Sequence, residues 1–182
     1  RGTDSTGAFL ATMPDAVVLP LGDLAYPDGT EQDFADCYDP TWGPAKDRSW
    51  PVPGNHEYHS QGAAPYFAYW GATAGTPEAP YRVEELAGWR VYLLSSECGQ
   101  NGDICSAEQQ LAWLQADLDA HPAQCILATF HRPRFSSGPH GSNRSVDGIW
   151  RALAGAGADV ILNGHDHLYE RFVPLDADGQ PA

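Results

Sequence analysis

The chain is poor in positive charge. Ten Lys and Arg stand against 24 Asp and Glu in 182 residues, a formal net charge of −14. Such a surface repels polyphosphates at long range, which excludes general nucleic-acid binding but not a small phosphate ester held at a local positive centre. No apolar run approaches the roughly 20 residues of a membrane-spanning helix, so no membrane partner is expected. The 15 Pro and 19 Gly follow no period, which excludes a collagen-like chain. No C-x-x-C pair occurs, which argues against a zinc ribbon or a thioredoxin motif. G-x-S-x-G is absent, so a serine hydrolase has no support. Gly155-Ala156-Gly157 precedes a predicted strand, whereas a dinucleotide fingerprint follows one. There is no internal repeat and no low-complexity linker, and no apolar leader follows Arg1.

What is present suffices for a core. With 42% hydrophobic and 11% aromatic residues, residues 1–182 are expected to form one domain. A domain of this size buries about 70% of the surface its unfolded chain exposes. The even count of four cysteines (Cys37, Cys98, Cys105, Cys125) suits disulfides in an oxidising compartment, the alternative being four buried free thiols. Cys98 and Cys105 flank a loop, 99–104, that can close as a small ring. These features place the protein outside the cell or in a periplasm. Asn143-Arg144-Ser145 is a glycosylation sequon, relevant only in a eukaryotic secretory pathway.

Strands and helices alternate. Ser5 or Thr6 caps a predicted helix over 8–13. Ala16 to Leu21 is a nearly continuous apolar run, a buried strand feeding Gly22-Asp23. Residues 30–38 have helical character, and Tyr38 to Tyr81 reads as long loops with short helices. Tyr81–Leu86 and Trp89–Ser95 form two strands turning at Ala87-Gly88. A capping box starts a helix at Ser106. Cys125–Phe130 is a strand, Ser145–Ala154 a helix and Ala158–Leu162 a strand. The pattern is that of an α/β layered fold. Three of its strands run directly into Asp23, His131 and His165, and sites in α/β sheets gather at strand carboxyl ends.

Each of those loops carries metal-binding chemistry. Gly22-Asp23-Leu24-Ala25-Tyr26 offers a carboxylate able to bridge two cations and a phenol whose anion suits a hard ion such as Fe(III). Gly54-Asn55-His56-Glu57 offers a neutral amide oxygen and an adjacent imidazole. Its histidines, His56 and His59, lack the zincin spacing. Gly164-His165-Asp166-His167 puts two imidazoles at i and i+2, on one side of an extended segment, with Gly164 leaving room for a metal. Taken singly, each has an ordinary structural explanation. The ordered set does not.

In that order the four segments match the GDxxY, GNHE, xxxH and GHxHxYER motifs, the last running through Leu168-Tyr169-Glu170-Arg171. The chain therefore resembles the calcineurin-like metallophosphoesterases, and Tyr26 and the Tyr-Glu-Arg tail resemble their purple acid phosphatase branch. The resemblance implies an αββα-type sandwich and two metal ions, Fe(III) plus Fe, Zn or Mn. Asp23 would bridge the ions. Tyr26 and His167 would bind the ferric one, and Asn55, His131 and His165 the other. His56 would contact the phosphate or the leaving group. His140, nine residues after His131, stands where plant-type members carry an active-site His. Asn55, His56 and His140 together would line the substrate. The implied reaction is hydrolysis of a phosphate monoester by a hydroxide generated at the metals, with His140 or His56 as general acid. A phosphodiesterase on the same fold, or a catalytically incomplete metal-binding fragment, are the alternatives.

One motif of that family is missing. Its first, a GDxG whose Asp binds the ferric ion, has no counterpart. Asp4 is the nearest candidate, in an unmatched context with only three residues before it. The expectation is a chain truncated at both ends.

Overall fold

The computed structural model describes residues 3–100, 104–123 and 125–182. Its helices are α1 (Thr3–Leu10), α2 (Glu31–Asp33), α3 (Ala64–Trp70), α4 (Ala107–Ala120) and α5 (Asp147–Gly155). Its strands are β1 (Arg82–Leu86), β2 (Trp89–Leu93), β3 (Cys125–Thr129) and β4 (Val160–Leu162). They form one mixed sheet in the order β1-β2-β3-β4. β1 pairs antiparallel with β2, and β2, β3 and β4 run parallel.

The sheet has two apolar faces because β2 alternates. Tyr92 faces a cluster with Ile126, Ala128 and Phe130 of the β3 segment, covered by Leu114 of α4 and Ile149 and Leu153 of α5. Val91 and Leu93 face the other way, onto Val52, Leu19 and Trp50. Helix α4 starts where the Ser106 hydroxyl accepts the Gln109 N–H, the N-cap bond that satisfies an orphan donor.

The apolar run 16–21 forms no full strand. It lies parallel to 48–52 through three bonds: Val18 N–H to Arg48, Trp50 N–H to Val18 and Val52 N–H to Pro20. Pro20, Pro51 and Pro53 supply no N–H, so this second β layer stays a short, interrupted ladder. α1 begins five residues before the predicted helix, so Ser5 and Thr6 lie within it rather than at its cap. Residue 4 also lies in α1, and its side chain is outside the described residues.

Residues 31–38 are helical in two parts. A capping box at Thr30 and Asp33 opens α2, and a π-helical turn, Phe34–Tyr38, completes it. A third cluster packs Ala25, Phe34, Tyr38, Ala63, Tyr66 and Trp70 behind the first two motif loops. Cys98 and Cys105 are bonded, while Cys37 and Cys125 are free thiols; residues 101–103 of the ring lie outside the described residues. Among the described residues no helix is long and apolar enough to cross a membrane.

Candidate metal centre

The motif loops meet at the carboxyl edge of the sheet. β3 ends in Phe130-His131 and β4 in Asn163-Gly164-His165. Past β3 and β4 their pairing continues: the Asn163 side chain donates to the Phe130 carbonyl at 2.7 Å, and the Gly164 N–H to that of His131 at 2.9 Å. This continued register sets His165 beside His131.

A fully buried carboxylate joins the other two loops. Glu57 accepts the N–H groups of Asp23 (2.9 Å) and Gly54 (2.8 Å) on Oε2, and those of Leu24 (2.7 Å) and Ala25 (3.3 Å) on Oε1. One side chain thereby fixes the backbone beneath both Asp23 and Asn55. Burial, with the Asp23 carboxylate nearby, pushes its carboxyl up, against the Gly54, Leu24 and Ala25 N–H groups that work to hold it down. Sequence reasoning gave Glu57 no role, although the GNHE stretch contains it. Gly54 is required by proximity, since a Cβ there would collide with the Asp23 carboxylate and N–H.

Asp23 sits at the centre. Its Oδ1 accepts the His56 N–H at 2.9 Å. Its Oδ2 is 3.1 Å from His131 Nε2 on one side and 3.3 Å from the Tyr26 hydroxyl on the other. Burial works to raise the Asp23 carboxyl, but the His131 imidazole and the His56 N–H outweigh it and hold it near 2, so the site carries a fixed negative charge. The backbone bends sharply to deliver these groups. Asp23 and His165 both have positive φ, 54° and 69°, a conformation that costs a residue with a Cβ of order 1–3 kcal/mol and concentrates at functional sites.

On the first side stand His131, Asn55 and His165. His131 is buried and gives its Nδ1–H to the Leu21 carbonyl at 2.7 Å. That fixes Nε2 as the inward atom, 3.2 Å from Asn55 Oδ1 and 3.2 Å from His165 Nδ1. Two oxygen acceptors thus face one ring nitrogen, and only a positive charge there, a proton or a metal cation, reconciles them. Ligand atoms of Asp23, His131 and His165 all lie within 4.8 Å of one another. Desolvation, with His131, Arg132 and His140 nearby, presses the His165 imidazole down to about 4. Near neutral pH it is therefore neutral, with a lone pair available. Carboxylate, amide oxygen and imidazoles are the donor types of a borderline divalent cation, and these residues fit one.

On the second side Tyr26 Oη and His167 Nε2 meet at 2.9 Å. Burial and the Asp23 carboxylate push the Tyr26 phenol well above its ordinary value, so a phenolate there needs a highly charged cation beside it. His165 and His167 do not share one face of an extended segment: the backbone turns left-handed at His165, and the His165 ring meets His131 while the His167 ring meets Tyr26. Nor does Gly164 make room for a metal. A Cβ there would press on the Leu21 carbonyl (2.8 Å) and His131 Nδ1 (3.2 Å).

His56 and His140 flank the cluster. The His56 ring lies 4.4 Å from that of Tyr26, and its Nδ1 contacts the Pro27 carbonyl. The His140 ring lies 4.5 Å from that of His165. Its loop is held by Asp166, whose carboxylate takes the His140 N–H on Oδ1 at 2.9 Å and the Ser136 hydroxyl on Oδ2. Glu170 adds the Ser137 N–H and hydroxyl. Sequence reasoning missed Asp166 and Glu170 as anchors. Both are carboxylates inside the GHxHxYER segment, which was the available signal.

The calcineurin-like phosphoesterase family model matches residues 7–169. Purple acid phosphatase 18 of Arabidopsis thaliana is 28% identical over 93% of the chain and 41% of its own length. Purple acid phosphatase 22 of the same plant is 30% identical over 87% and 39%. The chain thus spans about 40% of the length of the curated relatives it matches. A purple acid phosphatase from yellow lupin (Lupinus luteus) seeds superposes with a TM-score of 0.72 at 13% identity, over 91% of this chain and 33% of that one. The chain, with its mixed sheet and convergent loops, therefore belongs to the calcineurin-like phosphoesterase family, among relatives that are purple acid phosphatases.

Proposed function

We propose that the chain carries the dinuclear centre of a phosphomonoester hydrolase, with Asp23 between two cations. Tyr26 and His167 hold one cation, Fe(III), and Asn55, His131 and His165 hold the other, Fe, Zn or Mn. The observation that carries this reading is the placement of Asp23 Oδ2, which faces the Tyr26 side and the His131 side at once. The two metals supply charge neutralisation at phosphorus and a lowered pKa for bound water. The chain's own residues do the rest. His131, through its Nδ1–H on Leu21, presents an unprotonated Nε2. His56 keeps Nδ1 on Pro27 and contacts the phosphate or the leaving group through the other edge of its ring. His140, exposed beside His165, gives its proton to the leaving alkoxide as general acid. A net charge of −14 is compatible with an anionic substrate, because the local field belongs to the cations. The Cys98–Cys105 disulfide supports an extracellular or periplasmic location.

The test is to load the protein with Fe(III) and Zn(II) and assay a chromogenic phosphomonoester and a diester at acidic pH. Metal-dependent turnover of the monoester is expected, abolished by a chelator and in His131→Ala. Preferential turnover of the diester would replace the monoester reading. Two bound metals without turnover would leave only a metal-binding protein.

A further inference from the structure

One charged group at the centre's edge has no part in that chemistry. Arg132 follows His131 at the end of β3, and Ser96-Glu97 follow the neighbouring β2. The Arg132 N–H donates to Ser96 Oγ at 2.9 Å, and that hydroxyl donates to Glu97 Oε1 at 3.1 Å. The Glu97 side chain is 0% exposed and takes Arg132 Nε at 2.7 Å and Nη2 at 3.2 Å. Glu97 adjoins the Cys98–Cys105 disulfide. A buried carboxylate costs desolvation that an apolar residue of similar size would not incur, so the position of Glu97 and its half-buried partner Arg132 beside a candidate site calls for a role. The clamp occupies two guanidinium nitrogens. The third, Nη1, projects past Glu97 to His165 Nε2, 3.4 Å away, its one partner among the described residues.

That last contact conflicts with a cation on His165. A neutral imidazole has one lone pair. A cation on Nδ1 takes it and leaves Nε2 bearing hydrogen, unable to accept from Arg132. Nη1 is then a cationic donor at the edge of the site without an acceptor.

We propose that Arg132 is an anion-binding residue: Glu97 holds the guanidinium so that Nη1 donates to an anionic oxygen of the bound phosphate ester. This rests on the phosphate-ester reading above and assigns it one further substrate contact. Fixing the fork in advance on Glu97 lowers the ordering cost of that contact.

The test separates anion binding from metal binding and from turnover. Arg132→Gln removes the cation that balances the buried Glu97 carboxylate, so the double variant Arg132→Gln/Glu97→Gln is made beside it. Zinc affinity is read by chelator competition, and affinity for inorganic phosphate by calorimetry on the zinc-loaded proteins. The double variant should keep zinc affinity within about threefold and weaken phosphate about tenfold to a hundredfold, the weight of a charge-assisted hydrogen bond. KM should rise more than kcat falls. Unchanged phosphate affinity overturns the proposal. So does loss of zinc together with phosphate, which would make Arg132 a support for His165. So does a zinc-loaded wild type that binds no phosphate. A wild type that binds phosphate through Arg132 but turns over no ester overturns the hydrolase reading alone.

Discussion

Replacing Glu57 by Gln should unhinge the centre without touching any of its inward-facing ligand atoms. Each Glu57 oxygen accepts two backbone N–H groups, Asp23 and Gly54 on Oε2, Leu24 and Ala25 on Oε1. The amide of Gln keeps one oxygen and turns the other into a donor. Whichever way it lies, two buried N–H groups face an NH2. An orphaned buried donor costs about 1–3 kcal/mol, so the pair costs about 2–6 kcal/mol. A domain whose whole stability is about 5–15 kcal/mol loses a large share of it. At roughly 2–4 °C per kcal/mol for a chain of this size, the melting temperature should fall by about 4–24 °C. Chemical denaturation gives the first number and calorimetry the second. Zinc affinity, measured below the new melting point, should fall too, because Asp23 and Asn55 stand on the two loops that Glu57 joins. A variant within about 0.5 kcal/mol of wild type, with unchanged zinc affinity, would refute the reasoning. It would show that other contacts fix the two loops.

Three further outcomes follow from particular contacts. Iron-loaded protein should show a visible charge-transfer band that Tyr26→Phe abolishes in the absorption spectrum, since the phenolate oxygen is the donor. Asp166→Asn should loosen the His140 loop and lower turnover of alkyl phosphates about tenfold or more, with less effect on nitrophenyl phosphate, because a good leaving group needs little protonation; equal loss on both would remove His140 as the acid. Asp117→Asn should lower stability by about 2–4 kcal/mol near neutral pH, since its carboxylate takes Arg90 Nε and Nη2 and the Tyr92 hydroxyl. Burial works to raise the Asp117 carboxyl, and Arg90 and Tyr92 outweigh it and lower it. Its contribution is therefore complete above the unfolded value, about 3.9, and is lost as pH falls through the depressed folded value. Urea titrations at pH 7 and in the acid range should show the variant and wild type converging in acid.

Much of the fold was legible. β2, β3 and β4 are short apolar runs between turn signals, and local pattern is enough to find such segments. The run at 16–21 has the same composition, yet prolines in it and its partner segment keep the ladder to three bonds, a limit set by missing N–H groups. The six residues read as ligands were picked out from motif order, and the structure brings their side chains together; that they hold metals is the proposal above. The carboxylates that hold the ligand loops and the groups around them were not picked out. Glu57, Glu97 and Asp166 are ordinary acidic residues in the sequence, and their partners lie 33, 35 and 26 positions away.

The amino-acid sequence by itself determined the donor chemistry and its order along the chain: a carboxylate, a phenol, an amide and three imidazoles, each at a loop after an apolar segment. Tertiary structure decided which atoms face one another. The backbone turns left-handed at His165, whose ring meets His131 while that of His167 meets Tyr26, and the Leu21 carbonyl selects Nε2 of His131 as the inward atom. Burial turned Glu57 from a surface-type residue into the joint of two loops, because a carboxylate removed from water must find its hydrogen bonds in the protein. These outcomes depend on distances between residues remote in sequence, and a periodicity or a motif carries no information about such distances.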